Sequence, residues 1–271
     1  MSWWIVPVAL TVGAVMGALG GGGAILTVPI LVYLFGQPAT AATTGSLIIV
    51  GLTATVGMLA HARGSRIRAV EGATFGVLGI GGTYLGSRLS ANIPEHLLLS
   101  LFALLMLLVA GLMLRSRRRS RAAADHAPAD TASVALPGRR WSPAHTARVL
   151  AAATGVGLLT GFFGVGGGFA VVPVLVLVLG FRMPQAVATS LLVIAINSAT
   201  ALLARAGSTV ALDWGLLGAF SAVAVLGSFL GARIGRRVSP DSLTIAFVTM
   251  LVLVAGYMAV MNIPHLVSGA S

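Results

Sequence analysis

The sequence lacks cysteine and lysine altogether, and only 8% of its 271 residues are charged. Without cysteine, disulfides, zinc–thiolate centres and iron–sulfur clusters are excluded. Soluble domains carry about 25% charged residues, whereas this chain is 57% hydrophobic with a mean hydropathy of +1.00. Several nearly uncharged stretches reach the roughly 17 residues that a helix needs to span a bilayer. The sequence therefore predicts an all-α, multi-pass membrane protein.

Acidic residues are also scarce, and none lies deep in a predicted span. A buried carboxylate relay for protons is thus not visible. Glu71 and Asp213 stand at predicted helix starts, where a negative charge interacts favourably with the helix dipole. The membrane segments contain no Ser–His–Asp set and no histidine cluster. An enzyme is therefore not predicted, and neither is a metal or another cofactor.

The net charge of +11 comes from arginine, since lysine is absent. In a soluble chain it would suggest nucleic acid as a partner. Here the arginines gather in short loops and in residues 115–147, as the positive-inside rule expects, and no aromatic residues interleave with them as a stacking platform. Nucleic acid is therefore not predicted. Residues 115–147 are predicted to form a basic, flexible cytoplasmic linker near anionic lipid head groups, with binding of a regulator as the alternative.

Glycine is abundant, and it is concentrated in two runs between apolar segments. Gly20–Gly23 is followed by Pro29, and the run that ends at Gly168 is followed by Pro173. The segment before the first run, from Trp3, is interpreted as a membrane segment with an interfacial tryptophan pair and not as a removable signal peptide. The apolar segments after the runs are too short to span and fit half-helices or re-entrant limbs. Such breaks persist at membrane depth only where protein or a water-filled cavity satisfies the backbone.

The two runs belong to an internal duplication. Pro173 follows Pro29 by 144 residues, and the same offset relates Gly36 to Gly180. Later in each half, Leu85-Gly-Ser-Arg-Leu matches Leu230-Gly-Ala-Arg-Ile at an offset of 145. The predicted organisation is a first membrane repeat at 1–114, the linker at 115–147, a second repeat at 148–262 and a tail at 263–271.

Arginine placement indicates how the repeats are oriented. In the first half the loop that contains Arg63 is strongly basic, and the loop near Glu95 is not. In the second half the order is reversed, because the loop at 205–213 is nearly neutral and the next contains Arg236 and Arg237. Inverted repeats are therefore predicted, with each glycine segment forming a hairpin that enters from one face, so that the two breaks meet near the midplane.

Half-helices that start just after the glycines would point N–H groups and a positive dipole end at a shared cavity. This is an anion site made of backbone. Hydroxyl and amide side chains that follow each break are reasonable additional donors, although each alone is more typical of a helix cap or a bond to its own helix. The candidate substrate-binding residues are Gly20, Gly21, Gly22, Gly23, Thr44, Ser46, Gly164, Gly166, Gly167, Gly168, Thr189, Ser190 and Asn197.

Two alternatives apply to the glycine runs. Close helix packing through small residues is one, and Gly17 and Gly21 have the required spacing. A soluble phosphate-binding loop is the other, but Gly167 stands where the Walker lysine should be, and no strand leads into the run. Four or five glycines within six or seven positions, twice in one chain, favour a site over packing alone.

Motifs in both halves of the sequence resemble those of a known family. Gly161-Phe-Phe-Gly-Val-Gly-Gly-Gly-Phe with Val172-Pro173, then Ala186-Val-Ala-Thr-Ser-Leu191 and Asn197, resemble the TauE/SafE family of sulfite and sulfonate exporters. The duplicated glycine run with Val28-Pro29 and the Thr44-Gly-Ser-Leu47 element resemble its first half. The first repeat departs in having Ala24 where the second has Gly168, and Gly45 where it has Thr189.

This resemblance implies an inner-membrane permease for small sulfur-containing anions. The sequence hypothesis is therefore a secondary transporter, an exporter, of sulfite, sulfonates or related organosulfur compounds, with membrane lipid around it and a homo-oligomer left open. The alternative is a non-transporting membrane scaffold or assembly factor, in which the glycines only pack helices.

Overall fold

The computed structural model describes residues 4–62, 68–90, 95–125, 143–163, 168–204 and 211–268. Within these ranges the chain is all-helical, with no strand. The ten α-helices are α1 Ile5–Leu19, α2 Ala24–Pro29, α3 Ala39–Ala62, α4 Ala69–Ser90, α5 Glu95–Asp125, α6 Pro143–Phe163, α7 Gly168–Leu177, α8 Met183–Ala204, α9 Trp214–Gly235 and α10 Pro240–Ser268. A 3₁₀ turn, Gly20–Gly23, joins α1 to α2, and a π turn, Ile30–Leu34, follows α2.

Six stretches of the described residues are long and apolar enough to cross a membrane. They are Ile5–Leu34, Ala41–His61, Ser100–Arg119, Met183–Leu203, Trp214–Gly235 and Pro240–Tyr257. Many large apolar side chains on these helices face outward, as expected where lipid surrounds them. The protein is a multi-pass membrane protein.

The first glycine run turns the chain. Gly20 has a φ of 73° and a ψ of −132°, a conformation that only glycine adopts without strain. A Cβ added to Gly23 would lie 2.7 Å from the backbone nitrogen of Met16. In a continuous helix these two residues would be separated by a rise of about 10 Å, so the chain folds back towards α1 at the glycines.

Glycines pack the first helix of each half against a helix of the other half. On α1, Gly13 lies against the backbone of Ala224 in α9, and on α6, Gly157 lies against that of Gly79 in α4. Adding 144 to Gly13 gives Gly157, and adding 145 to Gly79 gives Ala224, so the two pairs are equivalent in the duplication. Gly227 on α9 and Gly82 on α4 are also equivalent, and each packs against the first helix of the other half. Because glycine has no side chain, the backbones of the paired helices can approach each other closely. Contacts of each half are therefore repeated by the other.

Contacts along α3 establish helix directions at the centre. The Oγ of Ser228 on α9 donates to the carbonyl of Thr53 at 3.0 Å, and further along Arg236 donates to that of Ala60. Thus α3 runs parallel to α9. Against α8 the order is opposite, because Gly51 meets Ser198 while Gly57 meets Leu191. The helices α3 and α8, which correspond to each other in the duplication, are therefore antiparallel.

The same reasoning shows what the broken segment does. Successive contacts of α1 with α9, from Gly13 with Ala224 to Gly17 with Ser228, are also parallel. Since α1 and α3 both run parallel to α9, the chain between them returns to the side on which α1 begins. The predicted hairpin around the first break is present.

The basic segment differs from the prediction. Residues 115–125, predicted as part of a flexible linker, continue α5 as a helix, and Pro143 already begins α6. Arginine has a high helix propensity and alanine the highest, so the run after the apolar stretch can continue the helix. Arg117 also contacts Asp241 at the start of α10, with 3.3 Å between Nη2 and Oδ2.

Candidate functional site

All four glycines of the first run are buried, and each faces a different helix. A Cβ on Gly20 would lie 2.5 Å from the Oγ of Ser190 in α8, and one on Gly22 would lie 2.5 Å from the Cε of Met250 in α10. Gly21 faces α7, and Gly23 faces α1. No side chain fits at these positions without displacing a neighbour. The turn is therefore a packed junction of four helices.

The two glycine breaks meet at Gly21 and Gly168. A Cβ on Gly168 would lie 2.8 Å from the carbonyl oxygen of Gly21, and the reverse contact is closer still. Gly168 is the first residue of α7, so the positive end of that helix dipole lies against the first break. The sequence prediction that the breaks come together agrees with this arrangement. Gly164, Gly166 and Gly167 lie outside the described residues.

The first break offers fewer amide donors than an open helix start would. The N–H of Gly20 donates to the carbonyl of Met16, and that of Ala24 donates to the carbonyls of Gly21 and Gly22. The glycines form a 3₁₀ turn that leads directly into α2, so the amide at the start of α2 is engaged, contrary to the expectation of uncapped N–H groups at that helix start. In the second break the described residues begin only at Gly168.

The serines that follow the breaks bond to their own helices. Ser46 donates to the carbonyl of Thr43, and Ser190 donates to that of Val187, both at 2.8 Å. These bonds correspond under the 144-residue offset. Each serine therefore uses its one donor locally, as small hydroxyl side chains in helices often do. Thr44 is buried beside Ser46 in the first turns of α3.

Other polar groups on α8 have no partner. The Oγ1 of Thr189 and the Oδ1 of Asn197, both predicted site residues, are buried without a hydrogen bond, and so is the Oγ of Ser198. Ser198 was not among the predicted residues. Two features of the sequence could have identified Ser198 as a site residue. It directly follows Asn197, and the corresponding residue of the first half is Ala54, so the hydroxyl is specific to the second half.

The acidic residues at helix starts are structural. Asp213 accepts a hydrogen bond from the amide of Leu216 at 3.0 Å and so caps α9. Glu71, in the first turn of α4, pairs with Arg68 at 3.0 Å. The guanidinium of Arg68 also stacks over Phe181, 4.9 Å from the ring centre, a cation–π contact. Each carboxylate therefore has a partner at the start of its own helix.

Among the described residues, no group of three or more histidine, cysteine, aspartate or glutamate side chains could hold a metal ion. Besides the packed centre, a groove of about 420 Å³ lies between α3 and α9. Its lining is Ile48, Leu52, Trp214, Leu217, Gly218, Ser221, Ala222 and Val225. It is apolar apart from Ser221 and does not reach the glycine breaks.

Comparison with known proteins identifies relatives along almost the whole chain. The family described as "Sulfite exporter TauE/SafE" matches residues 5–258. A "Probable membrane transporter protein" of Xylella fastidiosa (strain 9a5c) is 33% identical over 248 residues, which are 90% of this chain and 88% of that protein. The "Probable membrane transporter protein YunE" of Bacillus subtilis is 28% identical over 262 residues, which are 92% of this chain and 94% of that protein. No solved structure matches.

Proposed function

Because the chain belongs to the TauE/SafE sulfite exporter family, and is thus a membrane transporter, we propose that it is a secondary transporter that exports small sulfur-containing anions, such as sulfite or sulfonates. The observation that carries the proposal is the meeting of the two glycine breaks at Gly21 and Gly168 in the buried centre. The start of α7 there gives an anion a favourable dipole, with no cation needed.

The inverted arrangement of the two halves is part of the proposal. It is supported by the antiparallel course of α3 and α8 and by the exchange of contacts between α1–α9 and α6–α4. An inverted pair of broken segments places one site at the interface of the repeats, which each half can expose to a different side of the membrane. The proposed site comprises the glycines at the breaks and, among the polar side chains that follow them, those of Thr189 and Asn197 on α8, whose Oγ1 and Oδ1 atoms have no partner.

The alternative of a scaffold receives support from the glycines away from the breaks. Gly13, Gly17, Gly227 and Gly231 pack α1 against α9 and need no substrate to explain them. The glycines at the breaks differ, because they change the direction of the chain and bring two helix ends together. We therefore assign packing to the first group and the substrate site to the second.

Flux measurement tests the proposed function. Purified protein in liposomes should move radiolabelled sulfite or methanesulfonate at rates well above protein-free liposomes. In detergent, the same anions should raise the unfolding temperature, since a ligand that binds only the folded state stabilises it. Absence of anion flux under every ion gradient would favour the scaffold. Stabilisation by cations or neutral solutes, with none by oxyanions, would contradict the anion assignment.

A further inference from the structure

Unpaired polar groups are concentrated on one helix. Among the described residues, six buried side-chain atoms lack a hydrogen-bond partner, and three of them belong to α8. The other three are isolated on α2, α5 and α9. The six residues are Thr27, Arg117, Thr189, Asn197, Ser198 and Ser221.

The three residues on α8 lie beside neighbouring helices at two levels. The Cγ2 of Thr189 would lie 3.1 Å from a Cβ on Gly72 of α4. The Oδ1 of Asn197 would lie 3.8 Å from one on Gly79, also on α4, and the Cβ of Ser198 3.1 Å from one on Gly51 of α3. Eight residues of helix separate Thr189 from Asn197, a rise of about 12 Å. A small anion cannot contact both levels at once.

At the three corresponding positions of the first half, which the structure describes, there is no unpaired polar group. The 144-residue offset relates Thr189, Asn197 and Ser198 to Gly45, Thr53 and Ala54 on α3. The hydroxyl of Thr53 donates to the carbonyl of Ile49 at 2.5 Å, and its own carbonyl accepts from Ser228. Thus α3 is satisfied at the positions where α8 is not. Symmetric packing therefore coexists with asymmetric chemistry.

A structural role does not explain the polar groups on α8. Thr189 and Ser198 are 0% and 1% exposed, and a buried hydroxyl without a partner destabilises the fold relative to an apolar residue of the same shape. A helix selected only for packing would carry valine, leucine and alanine there. Buried polar groups of this kind within a membrane-spanning helix are typical of a substrate path.

We propose that α8 alone supplies the side-chain hydrogen bonds to the transported anion, at two successive positions. The first is Thr189, which precedes the Ser190 that contacts Gly20, and the second is the Asn197–Ser198 pair about 12 Å further along the helix. Hydroxyl groups and the amide N–H₂ donate to oxyanion oxygens, and the Asn197 Oδ1 accepts from a hydrogen of the partly hydrated ion. This inference rests on the proposed function and replaces two equivalent half-sites by one asymmetric path.

Near-isosteric apolar variants test the proposal. In Thr189→Val, Asn197→Leu and Ser198→Ala, sulfite uptake into liposomes should fall about 10-fold or more, the effect of losing one hydrogen bond to a charged ligand. The unfolding temperature without ligand should stay the same or rise, because an unpaired polar group has been removed. Thr53→Val is the matched control at the position equivalent to Asn197, and its uptake should stay within about two-fold of the wild type, because its hydroxyl bonds only to its own helix.

A binding measurement distinguishes the roles of Thr189 and of the Asn197–Ser198 pair. Stabilisation by sulfite should be lost in Thr189→Val and largely kept in Asn197→Leu, whose uptake is nevertheless slow. Loss of stabilisation in both to the same degree would overturn the two-position path. Equal uptake by all variants, or a lowered unfolding temperature that accounts for the lost uptake, would overturn the role of α8. Absence of sulfite and methanesulfonate uptake by the wild type would instead contradict the proposed function itself, and with it the ligand assigned here.

Discussion

Gly20 and Ser190 are in contact across the two halves of the chain, and a Cβ on Gly20 would lie 2.5 Å from the serine Oγ. Gly20 also has a φ of +73°. An alanine there therefore meets two obstacles, the backbone strain of a left-handed conformation and the clash with α8. The two can be separated, because Gly36 has a φ of +64° with nothing within 4 Å of its added Cβ.

Gly20→Ala should abolish most anion uptake, whereas Gly36→Ala should keep it. Both variants incur strain of about 1–2 kcal/mol from the positive φ, so both should unfold at a lower temperature than the wild type. Only Gly20→Ala displaces Ser190 and the junction of the breaks. Uptake in liposomes, normalised to the folded protein recovered, measures the difference. Equal uptake by the two variants would mean that the first break is a packing element.

Glycine packing between α1 and α9 should contribute strongly to stability. A Cβ on Gly227 would lie 3.0 Å from the backbone nitrogen of Ala14 and even closer to the carbonyl of Leu10, whereas one on Gly218 of the same helix meets nothing within 4 Å. Gly227→Ala should destabilise the protein by about 1–3 kcal/mol, the usual cost of overpacking. Gly218→Ala should be neutral or stabilise by up to about 1 kcal/mol.

Thermal unfolding in detergent compares these two alanine variants directly. A Gly227→Ala protein as stable as the Gly218→Ala protein would show that α1 and α9 can separate at no cost. In that case the close approach of their backbones would not hold the two halves together.

The hydrogen bond from Ser228 to Thr53 joins α9 to α3 in the buried interior. Ser228→Ala should lower the free energy of unfolding by about 0.5–1.5 kcal/mol. Thr55→Val serves as the control, since its hydroxyl is exposed and bonds only to the carbonyl of Gly51 in its own helix. Denaturant titration of both variants should show a shifted midpoint for Ser228→Ala alone. A shift of the same size in both would assign the effect to lost polarity and not to the link between helices.

Membrane topology can be mapped with single cysteines, because the protein contains none. Arg66→Cys and Arg237→Cys should react with an impermeant maleimide from the cytoplasmic side, with Arg63 and Arg236 on that side too, and Ser271→Cys from the outside. The bond from Arg236 to the carbonyl of Ala60 places the ends of α9 and α3 together. Labelling of position 66 and position 237 from opposite sides would contradict the inverted arrangement.

Much of the helical arrangement followed from composition. Long uncharged stretches predicted the spanning helices, and glycine runs between apolar segments predicted the breaks, since in each case one local property decides the structure. Gly36 and Gly180 show how far this extends: they are 144 residues apart, and both have positive φ. Family membership followed equally well, because it depends on motifs that can be read directly from the residues.

Helix partners could not be predicted in the same way. Gly17 and Gly21 fit one GxxxG pattern, yet Gly17 packs against α9 and Gly21 against α7, because the chain turns at Gly20 between them. Which hydroxyl groups form hydrogen bonds could not be predicted from the sequence either. Ser190 and Thr189 are adjacent and chemically similar, but only Ser190 finds a carbonyl within reach. Such outcomes depend on rotamers and neighbours that spacing along the sequence does not specify.

The pairing of α1 with α9 has a consequence for synthesis. Gly13 meets Ala224, and at about 5–20 residues per second the ribosome takes roughly 10–40 s to reach the partner. During this interval the face of α1 that packs against α9 lacks that partner. The length of chain between the two partners therefore sets the earliest time at which the interface between α1 and α9 can form. A ribosome that stalls before α9 leaves an incomplete nascent chain whose first helix lacks the partner against which its glycines pack.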